Sequence, residues 1–245
     1  MPDLKAAEQL VAEVRAHCRA NQNPKQVQRY ARFFTEGYDA WGIDKDDPMW
    51  STKKREWLER YSGLGRPGFI KAGELLIGGG KYEEAMLAIA FAAALGETSV
   101  SALARFFRAG ISNWAETDVL AGQITAPLLE RGAIEMEAFA GWRASKLKYQ
   151  RRCVPVSMLG LLKTSTPVHR FLEFLRPLMM DPEKVVQQGV GWFLREAWKK
   201  EPAPVEAFLV QYKDTAPRVI FQYATEKMTP AQRDRFRRAR RASTT

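Results

Sequence analysis

The segment AGISNWAETDVLAG, residues 109–122, brings together a ring and a carboxylate that could act in concert. Read as a helix, it sets Trp114 and Asp118 one turn apart on the same face. An indole face attracts cations and a carboxylate stabilises them, so the pair suits a positively charged guest. Packing is the competing reading, because tryptophan is common in cores and an aspartate near a helix start favours the dipole. Asn113, with Glu116 three residues on, has the spacing of an N-cap and capping box.

Two further stretches carry chemistry. In GVGWFLREAWKK, Trp192 follows Gly189 and Gly191 and precedes Arg195. Each glycine costs a helix about 1 kcal/mol relative to alanine, a cost suited to a ligand approaching the backbone or to tight helix packing. In KLKYQRRCVPVSMLG, Gln150, Arg151 and Arg152 open another helix, where arginine suits a phosphate better than a core. Other chemistries lack their residues. His17, His169, Cys18 and Cys153 are isolated, which argues against a zinc site or a Ser-His-Asp triad and leaves buried thiols in a reducing compartment as the expectation. GGGKYEE lacks the Lys-Ser/Thr ending of a phosphate loop, so no nucleotide cofactor is expected, and no metal.

Charge is distributed unevenly. Residues 1–137 hold 17 Lys/Arg against 19 Asp/Glu, a net −2, and residues 138–245 hold 21 against 9, a net +12. Between 138 and 172 there are seven basic residues and no acid: Arg143, Lys146, Lys148, Arg151, Arg152, Lys163 and Arg170. A run of one sign suggests a polyanion partner, with a solvated helix face as the plain alternative. Acidic lipid fits less well, because the stretch lacks the apolar face of an interfacial helix.

The elements that must position these residues read as helices throughout. Asn23-Pro24, Asp47-Pro48, Asp181-Pro182 and Thr229-Pro230 place proline where a first turn tolerates it. Apolar residues then recur at steps of three and four, as in Val185, Val186, Val190, Phe193, Leu194 and Ala197. The spans are 3–20, 24–36, 48–61, 67–78, 81–95, 98–109, 113–131, 133–144, 148–163, 167–179, 182–200 and 203–212. The run AMLAIAFAAAL is too short to cross a bilayer and suits a buried helix, and the charged start has no signal-peptide core. The expected architecture is all-α: an α-solenoid of antiparallel helix pairs of the HEAT kind, with a concave basic face. It occupies 1–228 as a single domain, followed by an Arg-rich tail over 229–245, read as a frayed helix or a disordered arm adding phosphate affinity.

NQNPKQVQRYARFF with WGI, SNWAETD, YQRR and GWFLRE occur in family order, and in this the chain resembles the DNA alkylation repair enzymes of the AlkD type, over roughly residues 20–225. The resemblance implies a HEAT-like glycosylase that removes cationic N3- or N7-alkylated purines from duplex DNA. It implies Asp118 as the catalytic carboxylate, Trp114 and Trp192 as the cleft tryptophans, and Arg151 on the DNA backbone. Arg152, Arg195, Lys146 and Lys148 are expected to add DNA contacts. It also implies a backbone-gripping mode without a deep base pocket. The chain departs from the family in carrying Asn113-Trp114 where Trp-Trp is frequent, and in the region 44–80. A monomer in the cytoplasm at the nucleoid, with neither membrane nor metal partner, is the expectation. A non-catalytic nucleic-acid binder and a protein–protein scaffold are the alternatives.

Overall fold

The computed structural model describes residues 4–96 and 98–238. Helices are its regular structure, and no strand occurs among the described residues. The chain divides into two compact units, Met1–Ile124 and Thr125–Thr245.

The first unit contains α1 (Leu4–Ala20), α2 (Pro24–Ala31), α3 (Thr52–Arg60), α4 (Gly65–Ile77), α5 (Tyr82–Ala94), α6 (Val100–Ala109) and α7 (Trp114–Leu120). Its central element is α5, which meets α1, α3, α4 and α7. The apolar run explains this position: Leu87, Ala88, Ile89 and Phe91 are fully buried, and most of the helix surface is turned to neighbours. No described helix is long and apolar enough to cross a membrane. By contrast, none of the eight residues of α2 is buried. Its position comes from its entry instead. Asn23 caps it by accepting from the Lys25 and Gln26 amides, and the Asn23 amide donates to the Trp41 carbonyl at 2.8 Å.

The segment 41–43 is in turn held from α5. The buried Glu83 carboxylate accepts backbone N–H groups from Trp41 (2.8 Å), Gly42 (2.8 Å) and Ile43 (3.1 Å). Gly42 has φ +75°, and a Cβ there would lie 2.2 Å from the Asn23 carbonyl oxygen, so only glycine fits the contact.

The second unit contains α8 (Ala126–Glu130), α9 (Ala140–Arg143), α10 (Lys148–Ser157), α11 (Val168–Leu175), α12 (Lys184–Lys200), α13 (Pro202–Tyr212), α14 (Arg218–Ala224) and α15 (Pro230–Asp234). Here α12 is central and meets α10, α13 and α14.

Most expected spans appear, but shorter. Expected helix 113–131 ends as α7 and continues through a π-helical stretch, Ala121–Thr125, into α8. Pro127 has no N–H to donate and its ring crowds the preceding turn, which accounts for the slipped register. Expected helix 148–163 likewise tightens to a 3₁₀ helix over Met158–Lys163, after Pro155. Expected helix 24–36 stops at Ala31, and 203–212 is followed by α14, which the spans omit. The described part of the basic tail is docked. Thr229 and Gln232 form a capping box, Phe236 is buried, Arg238 donates to the Ala216 carbonyl and Arg235 pairs with Glu206. Arg240 and Arg241 lie outside the described residues.

Candidate functional site

Helix α7 starts as its sequence dictates. The Asn113 side chain accepts from the Glu116 amide at 2.9 Å, and the Glu116 carboxylate accepts from the Ser112 amide at 3.0 Å. Burial of Glu116 raises its pKa despite those bonds. Its return bond to Ser112 takes the chain one residue further back than a standard capping box does. Trp114 follows at the first helical position, with Asp118 one turn on and half-buried.

Trp114 is not a core residue. Its side chain is 40 % exposed, and its indole Nε1–H donates to the Phe33 carbonyl at 3.2 Å. One ring face lies against Phe34, with centroids 5.6 Å apart and planes 19° from parallel. Phe34 also stacks on Tyr38 at 4.5 Å, and Tyr38 sits 5.3 Å from Tyr82 of α5. These rings wall a recess of about 710 Å³ that opens beside Trp114 and whose lining also includes Trp50, Met86 and Glu83. Among these wall residues, sequence alone marks only Trp114 for a role. The signal for the others is the interleaving of cations and rings in RYARFF.

In the second unit, α10 and α12 pack together and carry the other expected residues except Lys146, which precedes α10. The Arg151 guanidinium forms a two-pronged pair with Asp181, Nε–Oδ2 2.6 Å and Nη2–Oδ1 3.1 Å, and donates through Nη1 to the Ser145 carbonyl at 2.7 Å. The Arg152 side chain points inward: the residue is buried and its Nη1 donates to the Val185 carbonyl at 2.7 Å, joining α10 to the start of α12. The arrangement fits a helix tie rather than a phosphate contact. Arg195 is paired with Glu196 and Glu226. Lys148 lies 3.9 Å from Glu183, and Lys146 is exposed. Trp192 is half-buried on a shallow pocket with Leu159, Leu162, Lys163, Lys199 and Lys200.

Packing accounts for both glycines around Trp192. A Cβ on Gly191 would meet Tyr223 Cβ at 2.6 Å and the Ile220 carbonyl at 2.8 Å, where α14 presses against α12. A Cβ on Gly189 would touch Pro155 and Arg152 of α10 at 3.3 and 3.4 Å. The one-signed run 138–172 is also less open than its composition suggests. Lys163 pairs with Glu130, Arg151 with Asp181, and Arg143 donates to the Phe174 carbonyl, so neighbours from elsewhere in the chain take up much of it. Both cysteines are buried, and burial raises the Cys18 pKa to about 12. Among the described residues no group of three or more His, Cys, Asp or Glu is gathered as metal ligands would be.

An all-helical chain that presents an exposed tryptophan one turn from an aspartate has the makings of a site for a cationic substrate. The model of the family described as DNA alkylation repair enzyme matches residues 14–228. The chain belongs to that family. A search of the curated proteins found no match.

Proposed function

We propose that the protein is a DNA glycosylase that excises N3- or N7-alkylated purines from duplex DNA. The observation that carries this reading is the pairing on α7, within a DNA alkylation repair enzyme, of an outward-facing indole with a carboxylate one turn away. An alkylated purine is already cationic and leaves as a neutral base once its bond to the sugar breaks. The electron pair of the C1′–N9 bond departs with the purine, and the deoxyribose becomes oxocarbenium-like. Water then adds at C1′ and loses a proton.

In this reading Asp118 stabilises the developing sugar charge or orients the attacking water. It lies in the second turn of α7, half-buried. Trp114 favours the same charge by about 0.5–2 kcal/mol, and Trp192 is the second cleft tryptophan that the family resemblance implies. The leaving group needs no general acid, so a histidine is not required. Arg151 takes the DNA backbone with its orientation set by Asp181, and the exposed Lys146 and the partly exposed Lys148 and Arg195 add phosphate contacts. Arg152 is left out of that set, since its guanidinium serves the α10–α12 contact. The enzyme works on chromosomal DNA in the cytoplasm.

The test is incubation with methylated duplex DNA followed by chromatography of the released bases. Free 7-methylguanine or 3-methyladenine supports the reading. Binding without release makes the protein a non-catalytic DNA-binding member of its family.

A further inference from the structure

The recess beside Trp114 is built unlike an ordinary core pocket. Phe33 is 52 % exposed and Tyr30 39 %, and both stand on or next to α2, the helix with no buried residue. Leaving large rings in water forfeits part of the gain from burying them, and contiguous exposed rings mark a binding surface more than scattered ones do. The rings are also interleaved with cations. The Arg29 guanidinium lies 5.8 Å from the Tyr30 ring centre, and that of Arg32 lies 4.8 Å from the Phe33 ring centre. Lys45 and Lys54 line the opening.

The acids nearby are largely engaged. Glu83 is bound to three backbone amides, Asp44 accepts from Gln26 and the Asp46 amide, and Asp46 sits by Lys45. Ring faces alternating with cations form the surface that unpaired nucleic acid uses, bases stacking while phosphates meet the charges. An apolar peptide would use the rings and leave the guanidinium groups without a role.

We infer that this recess is a stacking subsite for one unpaired nucleobase of the DNA, with Arg29, Arg32, Lys45 and Lys54 meeting the flanking phosphates. The inference rests on DNA as the partner and does not require glycosylase chemistry. It also departs from the pocketless, backbone-gripping mode that the sequence resemblance implies.

The test uses the full chain and two unmodified duplexes of one sequence that carry 2-aminopurine either paired or as a single-nucleotide bulge. The bulged probe should bind about tenfold more tightly, and its fluorescence should be quenched on binding. The double variant Tyr30→Ala, Phe33→Ala should lose that preference and the quenching while keeping its affinity for the paired probe. Circular dichroism checks its fold, and Lys54→Gln, which keeps the rings, should weaken both probes. Equal affinity of the wild type for the two probes overturns the subsite, as does a preference that survives loss of both rings. Neither measurement reads base release, so failure here leaves the glycosylase reading standing, and the reverse also holds.

Discussion

The indole Nε1–H of Trp114 is bonded to the main-chain carbonyl of Phe33, 81 residues earlier in the chain, at 3.2 Å. That bond orients the ring, while its position at the start of α7 leaves much of the side chain open to a substrate.

Trp114→Phe keeps an aromatic face and removes that anchor, so release of alkylated base should fall several-fold. Trp114→Ala removes the face as well and should cost up to about 30-fold, the upper range of a desolvated cation–π contact. Single-turnover release rates with saturating enzyme check the order of the two variants.

Asp181 is buried against Arg151 with a side-chain exposure of 5 % against 12 % for the arginine. Removing one partner of such a pair strands the other charge, so Asp181→Ala should lower unfolding stability by about 3 kcal/mol in urea titrations. Asp181→Glu, which retains the charge, should restore part of it. A variant as stable as the wild type would mean that the pair contributes nothing to the fold.

The clamp beneath α2 depends on one carboxylate and one glycine. Glu83→Gln keeps a single acceptor oxygen where two serve three amides, and should cost about 2 kcal/mol. Gly42→Ala drives a methyl into the Asn23 carbonyl and should release α2 from its anchor. Hydrogen exchange at the Asn23 and Ile43 amides should quicken in both variants.

Much of this architecture is legible in the residue order. Proline positions and apolar spacing mark most of the helices, and Asn113 marks the start of α7. What escapes is set by partners distant in sequence. The cationic run 138–172 looks open because the acids that neutralise it, Asp181, Glu183 and Glu130, lie outside it. The glycines around Trp192 look like room for a ligand because Tyr223 and Ile220, which occupy that room, come later. Arg152 opens a helix as a phosphate ligand would, yet the carbonyl it serves belongs to Val185. The aromatic recess joins residues 30–50 to α5 and α7, a meeting that no local pattern announces.

Burial holds the Glu116 carboxyl above its ordinary range. A carboxyl with a raised folded pKa binds its proton more tightly when folded, so its contribution to stability declines as pH rises from the unfolded value through the folded one. Glu116→Gln removes that decline and keeps an acceptor for the Ser112 amide. The stability difference, variant minus wild type, should therefore grow with pH across this window and level off above it. Thermal melts from pH 4 to 8 check the slope. A difference independent of pH would show that Glu116 titrates as it does in the unfolded chain.

The most direct measurement is release of 7-methylguanine from methylated duplex DNA by the Asp118→Asn variant, alongside its affinity for the same DNA. The substitution preserves size and removes charge, so base release should be abolished while binding stays within a few-fold of wild type. Release at the wild-type rate would remove Asp118 from the chemistry, and with it the proposed mechanism.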